Sequence, residues 1–479
     1  MITFILSIVL LVLAYFTYGK YVERTFGVHN ERQTPAYRLK DGVDYVPMGK
    51  NRNGLIQLLN IAGVGPIFGP IMGALYGPVA FLWIVLGSIF AGAVHDYLTG
   101  MISLRNKGAH LPELAGKFLG KTMKHVVNAF AALLLILVGT VFVTSPAALI
   151  SSLTPDWVTM SVIIGFIFVY YILATLLPID KIIGRIYPYF GALLLISAFG
   201  IGAMLFIKGA PIPELSLENM HPAGIGIFPA LFFTISCGAL SGFHATQSPI
   251  ISRTTEKEKE GRFIFYGMMI AEAVIAMIWA AASMSLFDGQ TLNEMLANGG
   301  PAAVVNEVSI MMLGGIGGTL AVLGVIVLPI TSGDTAFRSL RMIIADYFNI
   351  EQHSFMKRLY IAIPLFVISF GLTKIDFNIL WRYFNWANQS TAVIALFVGA
   401  MYLYVKGRNY FIALIPGIFM LYCVSVYILN QKIGFNLPMN ISCIIGAVIT
   451  LGLLIMFMMF AKKQKALKLR LDDDADIAA

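Results

Sequence analysis

The chain has 479 residues, of which 58% are hydrophobic and 12% are charged, and its mean hydropathy is +0.81. Soluble globular proteins carry about 25% charged residues, so this chain has too few charges to cover a water-exposed surface. The composition excludes a soluble enzyme, a disordered protein and a secreted module, and it predicts an all-α membrane bundle.

Thirteen apolar windows follow one another along the chain, each close to the length that a membrane-spanning helix needs. Their runs are continuously apolar, unlike the alternating strands of a membrane β-barrel. The first window has no basic segment and no small-residue cleavage site, so we expect a retained span and not a signal peptide. The predicted spans are 1–19, 54–75, 77–104, 123–148, 158–177, 187–208, 226–250, 263–287, 306–333, 358–373, 379–405, 409–430 and 438–461.

Lysine and arginine are concentrated in alternate loops. Of the 33 Lys and Arg, 29 lie in loops that share one side of the membrane if the N-terminus is outside. The others are Lys208, Lys374, Lys432 and Arg382, which lies just inside the eleventh span. Because basic loops are retained in the cytoplasm, we expect a cytoplasmic C-terminus, contacts with anionic lipids on that side, and no nucleic-acid binding.

The second predicted span is interrupted by glycine and proline. Proline removes a backbone donor, and glycine lowers the cost of leaving the helix. In hydrocarbon a broken helix persists only where protein, ion or substrate completes its backbone groups. We therefore predict substrate contacts at Gly63, Gly65 and Pro66. The four-residue spacing of the glycines from Gly65 to Gly77 also suits close helix packing, and that alternative stays open.

The seventh predicted span combines glycine and proline with polar side chains. A break here would present half-helix N–H groups to anions and free carbonyls to cations. Alternatively, the polar side chains form hydrogen bonds between helices. The substrate contacts predicted in this span are Ser236, Gly238, Ser241, Gly242, His244 and Gln247.

The two interrupted spans run in opposite directions through the predicted topology, and each begins a unit of five spans. This arrangement predicts a five-plus-five inverted repeat, which is typical of secondary transporters with a substrate site near the midplane. The predicted units are a peripheral helix and cytoplasmic loop at 1–53, repeats at 54–208 and 226–405, two peripheral helices at 409–461 and a cytoplasmic tail at 462–479.

Four runs of the sequence resemble one known family. The run at 42–108, which contains NIAGVGPIFGPIMGALYG, resembles the hallmark region of the carbon starvation protein A family, and SGFHATQSPIISRT at 241–254 resembles its second signature. The similarity continues through TSGDTAFRSLRMIIAD and NWANQSTA, and so covers most of the chain. The resemblance implies a bacterial inner-membrane carrier of peptides or pyruvate, acting in response to carbon starvation. It also implies the leucine-transporter-like fold of the APC-like superfamily.

Two acidic residues lie within predicted spans, where an ionisable group is costly and is therefore a functional candidate. Asp96, beside His95 in the third span, either binds a proton or helps to close an inner gate, or it anchors a loop near the interface. Glu272 in the eighth span is either a protonatable coupling group or a buried residue hydrogen-bonded to a neighbouring helix.

The end of the ninth span suggests an ion site. The hydroxyls of Thr331 and Ser332, with backbone carbonyls near Ala62 and Gly65, would suit a hard cation such as Na⁺. This assignment relies on analogy with the leucine-transporter-like fold. Asp334 is a further ion-coupling candidate, and its alternative is an ion pair with Arg338 one turn later.

Segment eleven carries three amides, Asn385, Asn388 and Gln389, on one helical face. They either line the translocation path or fasten helices together. His244 is either a satisfied hydrogen-bond partner or a proton carrier. No second His or Cys stands at ligand spacing from it, so the sequence predicts no zinc site.

The paired breaks and their opposite orientation favour a secondary transporter that works by alternating access and needs no cofactor. The family resemblance implies that it imports peptides or pyruvate, coupled to H⁺ or Na⁺. There is no P-loop that would suggest a primary pump. The alternative is an intramembrane enzyme or a nutrient sensor that binds without transport, although no HExxH or GxSxG motif is present. A passive channel is a third hypothesis, and no filter motif supports it.

Overall fold

A computed structural model describes the backbone of residues 1–471 apart from positions 30, 43, 156, 177–178, 353, 468 and 470, and the side chains of these residues apart from 175–188 and 190. Most of the predicted tail at 462–479 lies outside the described residues. Within the described part of the chain, all regular secondary structure is helical, and one isolated parallel bridge joins Met48 to Thr255.

Most helices follow one another with short connections, and a longer one covers 208–226. A 3₁₀ turn at Ala74–Tyr76 and π-helical turns at Ser88–Gly92 and Arg262–Gly267 interrupt the α-helical runs. In chain order the α-helices are α1 Ile2–Phe16, α2 Tyr18–Phe26, α3 Pro35–Arg38, α4 Lys50–Ile61, α5 Gly65–Gly73, α6 Val79–Gly87, α7 Ala93–Arg105, α8 Leu111–Leu119, α9 Lys121–Leu153, α10 Met160–Leu176, α11 Ile179–Ile207, α12 Ile227–Thr234, α13 Gly242–Ser252, α14 Met268–Leu286, α15 Gly289–Phe348, α16 Phe355–Leu372, α17 Phe377–Val405, α18 Phe411–Asn430 and α19 Met439–Ala466.

Within the described residues, nine helical segments are long and apolar enough to cross a membrane, and the bent pair α4–α5 raises this number to ten. Two shorter apolar helices lie at Met160–Ala174 and Gly191–Ile207. The predicted seventh span is not among them because it is divided into α12 and α13, of 8 and 11 residues. The structure therefore confirms a multi-span helical bundle, while the division into thirteen spans stays a prediction.

The ninth span differs from its predicted bounds of 306–333. It belongs to α15, which continues to Phe348 and so makes the polar stretch after Ser332 helical. Two glycines kink the earlier part of α15, Gly300 at φ 64° and Gly314 at φ 73°. Glycine tolerates this left-handed backbone because it has no Cβ, so the two residues divide α15 into shorter helical pieces.

The loops gather at two ends of the bundle. At one end Arg105 donates a hydrogen bond to the carbonyl of Gly27, at 2.6 Å, which joins the end of α7 to the segment after α2. We call this the basic end, because basic residues of several loops meet there: Lys406 Nζ donates to the Phe26 carbonyl at 2.7 Å, and Arg253 Nε donates to the Gly108 carbonyl at 3.0 Å. At the opposite end the N–H of Met220 donates to the carbonyl of Tyr76, at 3.3 Å.

The interior and the periphery of the bundle differ in burial. Helices α5, α7, α13 and α14 are almost wholly buried, whereas α1 and α19 expose apolar side chains along most of their length. An exposed apolar face of this kind is suited to lipid. The segments that carry the predicted site therefore lie at the centre of the bundle, with α1 and α19 outside them.

Candidate functional site

The second span is broken where the glycine and proline pattern predicts. Helix α4 ends at Ile61, α5 begins at Gly65, and the two axes meet at 48°. Pro66 lies in the first turn of α5, where its missing N–H costs no intrahelical hydrogen bond. Ala62 and Gly63 are buried in the break, so its backbone groups face protein and not lipid.

The seventh span is broken over a longer stretch, between Thr234 and Gly242. Gly238 takes φ +87°, a left-handed conformation that favours glycine. Two side chains of the third span satisfy carbonyls that the break frees. Trp83 Nε1 donates to the Ile235 carbonyl at 2.9 Å, and Ser88 Oγ donates to the Gly238 carbonyl at 2.7 Å. Hydrogen bonds from the third span thus stabilise the non-helical backbone of this break.

The two broken segments pack against each other along their length. A Cβ on Gly65 would overlap the side chain of Cys237, and a Cβ on Gly69 would come within 2.9 Å of the Thr234 carbonyl. Near the basic end, Asn53 Nδ2 donates to Thr255 Oγ1 at 3.1 Å. Residues early in α4–α5 therefore meet residues late in α12–α13, so the two segments are antiparallel. The glycine spacing serves this packing as well as the break.

Amides of α17 fasten the α12–α13 break. Ser236 Oγ donates to Asn385 Oδ1 at 2.8 Å. Asn388 Oδ1 accepts from the Ser241 hydroxyl at 3.1 Å and from the N–H of Phe243 at 2.7 Å. In this structure these two amides hold the break against α17, and their role in lining the translocation path stays a prediction. Gln389 does the same from the next position, because its Nε2 donates to the Phe232 carbonyl at 2.9 Å.

Four buried titratable side chains meet beside the breaks. Asp96 accepts on Oδ1 from His95 Nδ1 at 2.8 Å and on Oδ2 from His244 Nδ1 at 2.9 Å. The other nitrogen of His244, Nε2, lies 3.5 Å from Glu272 Oε2. All four side chains have 0% exposure. Asp96 is therefore buried in the bundle, where its hydrogen bonds join α7 to α13.

The cluster also contains a thiol that the sequence spacing did not indicate. Cys237, His244 and Glu272 bring donor atoms within 4.8 Å of one another, which is close enough for a metal ion. The sequence placed no second His or Cys at ligand spacing from His244, but the break brings Cys237 close to the start of α13. Cys237 Sγ is also within hydrogen-bonding distance of Ser241 Oγ, at 3.3 Å. We assign no metal here.

The predicted ion-site residues of α15 lie beside α4. Ser332 Oγ donates to the Leu59 carbonyl at 3.0 Å, just before the break at Ala62. Thr331 Oγ1 donates within its own helix to the Leu328 carbonyl at 2.8 Å. Asp334 lies 3.6 Å from Arg338, so the ion-pair alternative describes its contact.

Three further amides are buried with unpaired polar atoms. Both side-chain polar atoms of Gln57 and of Asn60 lack a hydrogen-bond partner among the described residues, and so does Gln247 Oε1. A buried unpaired polar group costs about 1–3 kcal/mol. The sequence predicted Gln247 but missed Gln57 and Asn60. Their spacing of three on α4 places them on one face and was the available signal.

The basic end is closed by a buried ion pair. Arg105 donates through Nε and Nη2 to both carboxylate oxygens of Glu258, at 2.9 and 2.8 Å, and through Nη1 to the Tyr402 hydroxyl at 2.7 Å. Neither Arg105 nor Glu258 is exposed. This network ties together α7, the loop after α13 and α17. At the opposite end a cavity of about 390 Å³ reaches Thr234 and Asn385, next to the α12–α13 break.

The sequence matches one family and several named relatives. The model of the family described as carbon starvation protein CstA matches residues 1–167, 146–305 and 285–426. An uncharacterized membrane protein of Haemophilus influenzae is 48% identical over an alignment that covers 62% of this chain and 95% of that protein. The peptide transporter CstA of Escherichia coli K12 is 24% identical, covering 90% of this chain and 81% of that protein. The pyruvate/proton symporter BtsT of the same organism is 28% identical over an alignment that covers 59% of this chain and 49% of that protein.

The fold is similar to a solved transporter. The manganese transporter of Eremococcus coleocola, in complex with an aromatic bis-isothiourea substituted compound, superposes with a TM-score of 0.52 at 14% identity. The match covers 90% of this chain and 99% of that chain. A mutant of the same transporter gives a TM-score of 0.51 at 12% identity. At these identities the likeness concerns the fold alone.

Proposed function

The chain belongs to the carbon starvation protein CstA family. From this premise we propose that it imports a small nutrient, a peptide or pyruvate, across the bacterial inner membrane in response to carbon starvation. It does so as a secondary transporter that couples uptake to protons. Two of its relatives are named a peptide transporter and a pyruvate/proton symporter.

One observation carries the proposal: two antiparallel broken helices meet beside a fully buried Asp–His–Glu cluster. Ionisable groups inside a membrane bundle are costly and belong to substrate or ion pathways. Broken helices expose backbone N–H and carbonyl groups to a bound solute. The proposed substrate site is therefore formed by the two breaks, Gly63–Pro66 and Ser236–Gly242, with His244 and Gln247 at its basic-end side. Because the breaks pack together in this structure, they must separate to admit a solute. The Asn385, Asn388 and Gln389 amides hold the second break in shape for it.

The cluster is the proton-binding element. In a low-dielectric interior the carboxylates of Asp96 and Glu272 are stable only when nearby protons or cations balance them. His244 lies between them, with Nδ1 on Asp96 and Nε2 towards Glu272. A proton that arrives at Glu272 neutralises it, and one that leaves through His244 restores the charge. Because His244 belongs to α13, each transfer alters the contacts of the broken segment itself.

Alternating access then requires the two ends to open in turn. We assign the basic end to the cytoplasm, the N-terminus to the outside and the C-terminus to the cytoplasm, by the distribution of Lys and Arg. The cavity at the opposite end and the Arg105–Glu258 network at the basic end then describe an outward-facing state. Thirteen spans, with repeats at 54–208 and 226–405, are part of this proposal.

A sodium-coupled transporter is the second candidate. It is supported by the contact of Ser332 with the Leu59 carbonyl, which puts a hydroxyl of α15 next to the break. Hydroxyl and carbonyl oxygens are ligands that suit a hard cation. In this version Thr331, Ser332 and the carbonyls of Ala62 and Gly65 hold Na⁺, with Asp334 as the nearby charge.

Uptake into liposomes tests both candidates. Purified protein is reconstituted, and labelled pyruvate and a labelled dipeptide are offered with a pH gradient, a sodium gradient or neither. We expect accumulation under the pH gradient and none in protein-free liposomes. Uptake that follows only the sodium gradient would replace the first candidate by the second. Binding without uptake under any gradient would favour a sensor, and currents far above carrier turnover would favour a channel.

A further inference from the structure

The cavity at the end opposite the basic end has one strong charge. Among the described residues that line it, Arg382 is the only Lys, Arg, Asp or Glu. Its polar neighbours in the wall are neutral, and include Asn293, Asn378, Asn385 and Gln431. The described wall of the cavity is therefore positively charged and rich in hydrogen-bonding groups, and it contains no carboxylate that would neutralise Arg382.

Arg382 is available to a ligand. Its side chain is exposed, and no hydrogen bond or ion pair joins it to another residue in the described part of the chain. The nearby carboxylate of Asp376 is already engaged, because it accepts from the N–H groups of Asn378 and Ile379 at the start of α17. A guanidinium with this freedom presents a planar pair of donors that matches a carboxylate.

The position of Arg382 connects the cavity with the break. Asn385 lies one turn further along α17, lines the same cavity and accepts from Ser236 in the α12–α13 break. A solute held at Arg382 is thus within one helical turn of the proposed substrate site. The cavity volume, about 390 Å³, suits a small organic molecule.

We infer that Arg382 is the residue that recognises the carboxylate of the transported nutrient, and that this cavity selects small molecules with one carboxylate before they reach the breaks. The inference rests on the proposed function and names its substrate class. The shared chemistry is a carboxylate beside hydrogen-bonding groups, whether it belongs to a 2-oxo acid or to the C-terminus of a peptide. The amides of the wall supply neutral contacts for the rest of the molecule.

Calorimetric binding to the purified protein in lipid nanodiscs tests this inference without transport. The probes are pyruvate and pyruvamide, and glycylglycine and its C-terminal amide, all at one pH. We expect each transported carboxylate to bind more tightly than its amide. Arg382→Gln should weaken carboxylate binding roughly 10- to 100-fold, the scale of a lost charge-assisted hydrogen bond, and leave amide binding unchanged. Arg382→Lys should recover part of the loss.

The matched control is Lys374→Gln, which removes an exposed cation at the same end of the bundle and outside the cavity wall. It should bind carboxylates like the wild type. Melting temperatures of all variants establish that they are folded. If Arg382→Gln weakens the binding of pyruvate, the carboxylate belongs to a 2-oxo acid. If it weakens the binding of glycylglycine, the carboxylate is the C-terminus of a peptide.

Several results would overturn the inference. These are equal binding of carboxylates and amides, equal loss in Arg382→Gln and Lys374→Gln, unchanged binding in Arg382→Gln, or no binding of either carboxylate to the wild type. Failure of the proposed function is a different result: carboxylates bind through Arg382, yet no gradient drives uptake into liposomes.

Discussion

His244 Nδ1 lies 2.9 Å from Asp96 Oδ2, and this contact joins the broken seventh segment to the helix that packs behind it. Asp96 accepts a second hydrogen bond from His95 on its other oxygen, so both of its carboxylate oxygens have a hydrogen-bond donor. The other side of the ring faces Glu272, whose two oxygens have no hydrogen-bond partner among the described residues. The ring is therefore a bridge between a satisfied carboxylate and an unsatisfied one.

Replacement of Glu272 should uncouple transport from protons. Glu272→Gln keeps the shape of the side chain but cannot take up and release a proton. We expect uptake driven by a pH gradient to fall on the order of 10²-fold, the scale of losing a proton-transfer group, while substrate binding persists. Uptake and calorimetric binding are measured side by side. Glu307→Gln, at an exposed position of α15, is the matched control and should transport normally. Full proton-driven uptake in Glu272→Gln would remove the cluster from the mechanism.

A methyl group at Gly65 should disrupt the contact between the breaks. The new Cβ of Gly65→Ala would overlap the Cys237 side chain, and overpacking of this kind costs about 1–3 kcal/mol. We expect a lower melting temperature and loss of uptake. Gly165→Ala is the control, because its Cβ would have open space around it. Cys237→Gly in the Gly65→Ala background should restore stability in part, and the absence of any restoration would argue against this contact as the cause.

Loss of the buried ion pair should open the basic end. In Glu258→Gln the guanidinium of Arg105 stays buried without its charge partner, an arrangement that costs about 3–5 kcal/mol. We expect Cys237 to react faster with a thiol reagent, measured in a background without Cys423 and Cys443. The control is Glu113→Gln, which removes only the exposed ion pair between Glu113 and Lys124, whose charged atoms lie 3.7 Å apart. It should leave the rate of Cys237 labelling unchanged. Equal rates in the two variants would mean that Arg105–Glu258 does not hold this end closed.

His110 should make stability depend on pH. It lies in the loop before α8, and burial, together with the charge of Arg253, lowers its pKa well below the usual value. The folded protein therefore holds His110 neutral, whereas the unfolded chain takes up a proton as the pH falls through about 6.5. Folding stability is thus complete above that pH and decreases below it. Between pH 7 and pH 5, the melting temperature of His110→Gln should fall less than that of the wild type, and equal falls would contradict this assignment.

The local pattern of glycine and proline predicted both breaks. Pro66 lacks an N–H and Gly238 accepts a left-handed backbone, and both properties belong to the residue itself and do not depend on tertiary contacts. It also indicated the polar positions of α13 and α17. Pattern could not tell whether Asn385 and Asn388 face a substrate path or fasten the break, because both uses require a buried amide. It also missed Cys237, Gln57 and Asn60, whose importance depends on neighbours far away along the chain.

The excess of apolar residues over charged ones determined by itself that this is a membrane bundle, because too few charges exist to face water. The loops that carry Lys and Arg predicted the orientation of the chain in the membrane, and the positions of glycine and proline predicted where helices end. Only the tertiary structure decided that Asp96, His244 and Glu272 share one site and that Arg382 is the one Lys, Arg, Asp or Glu among the described residues that line its cavity. Such meetings depend on how distant helices pack, and no local propensity encodes a contact between residues about 150 positions apart.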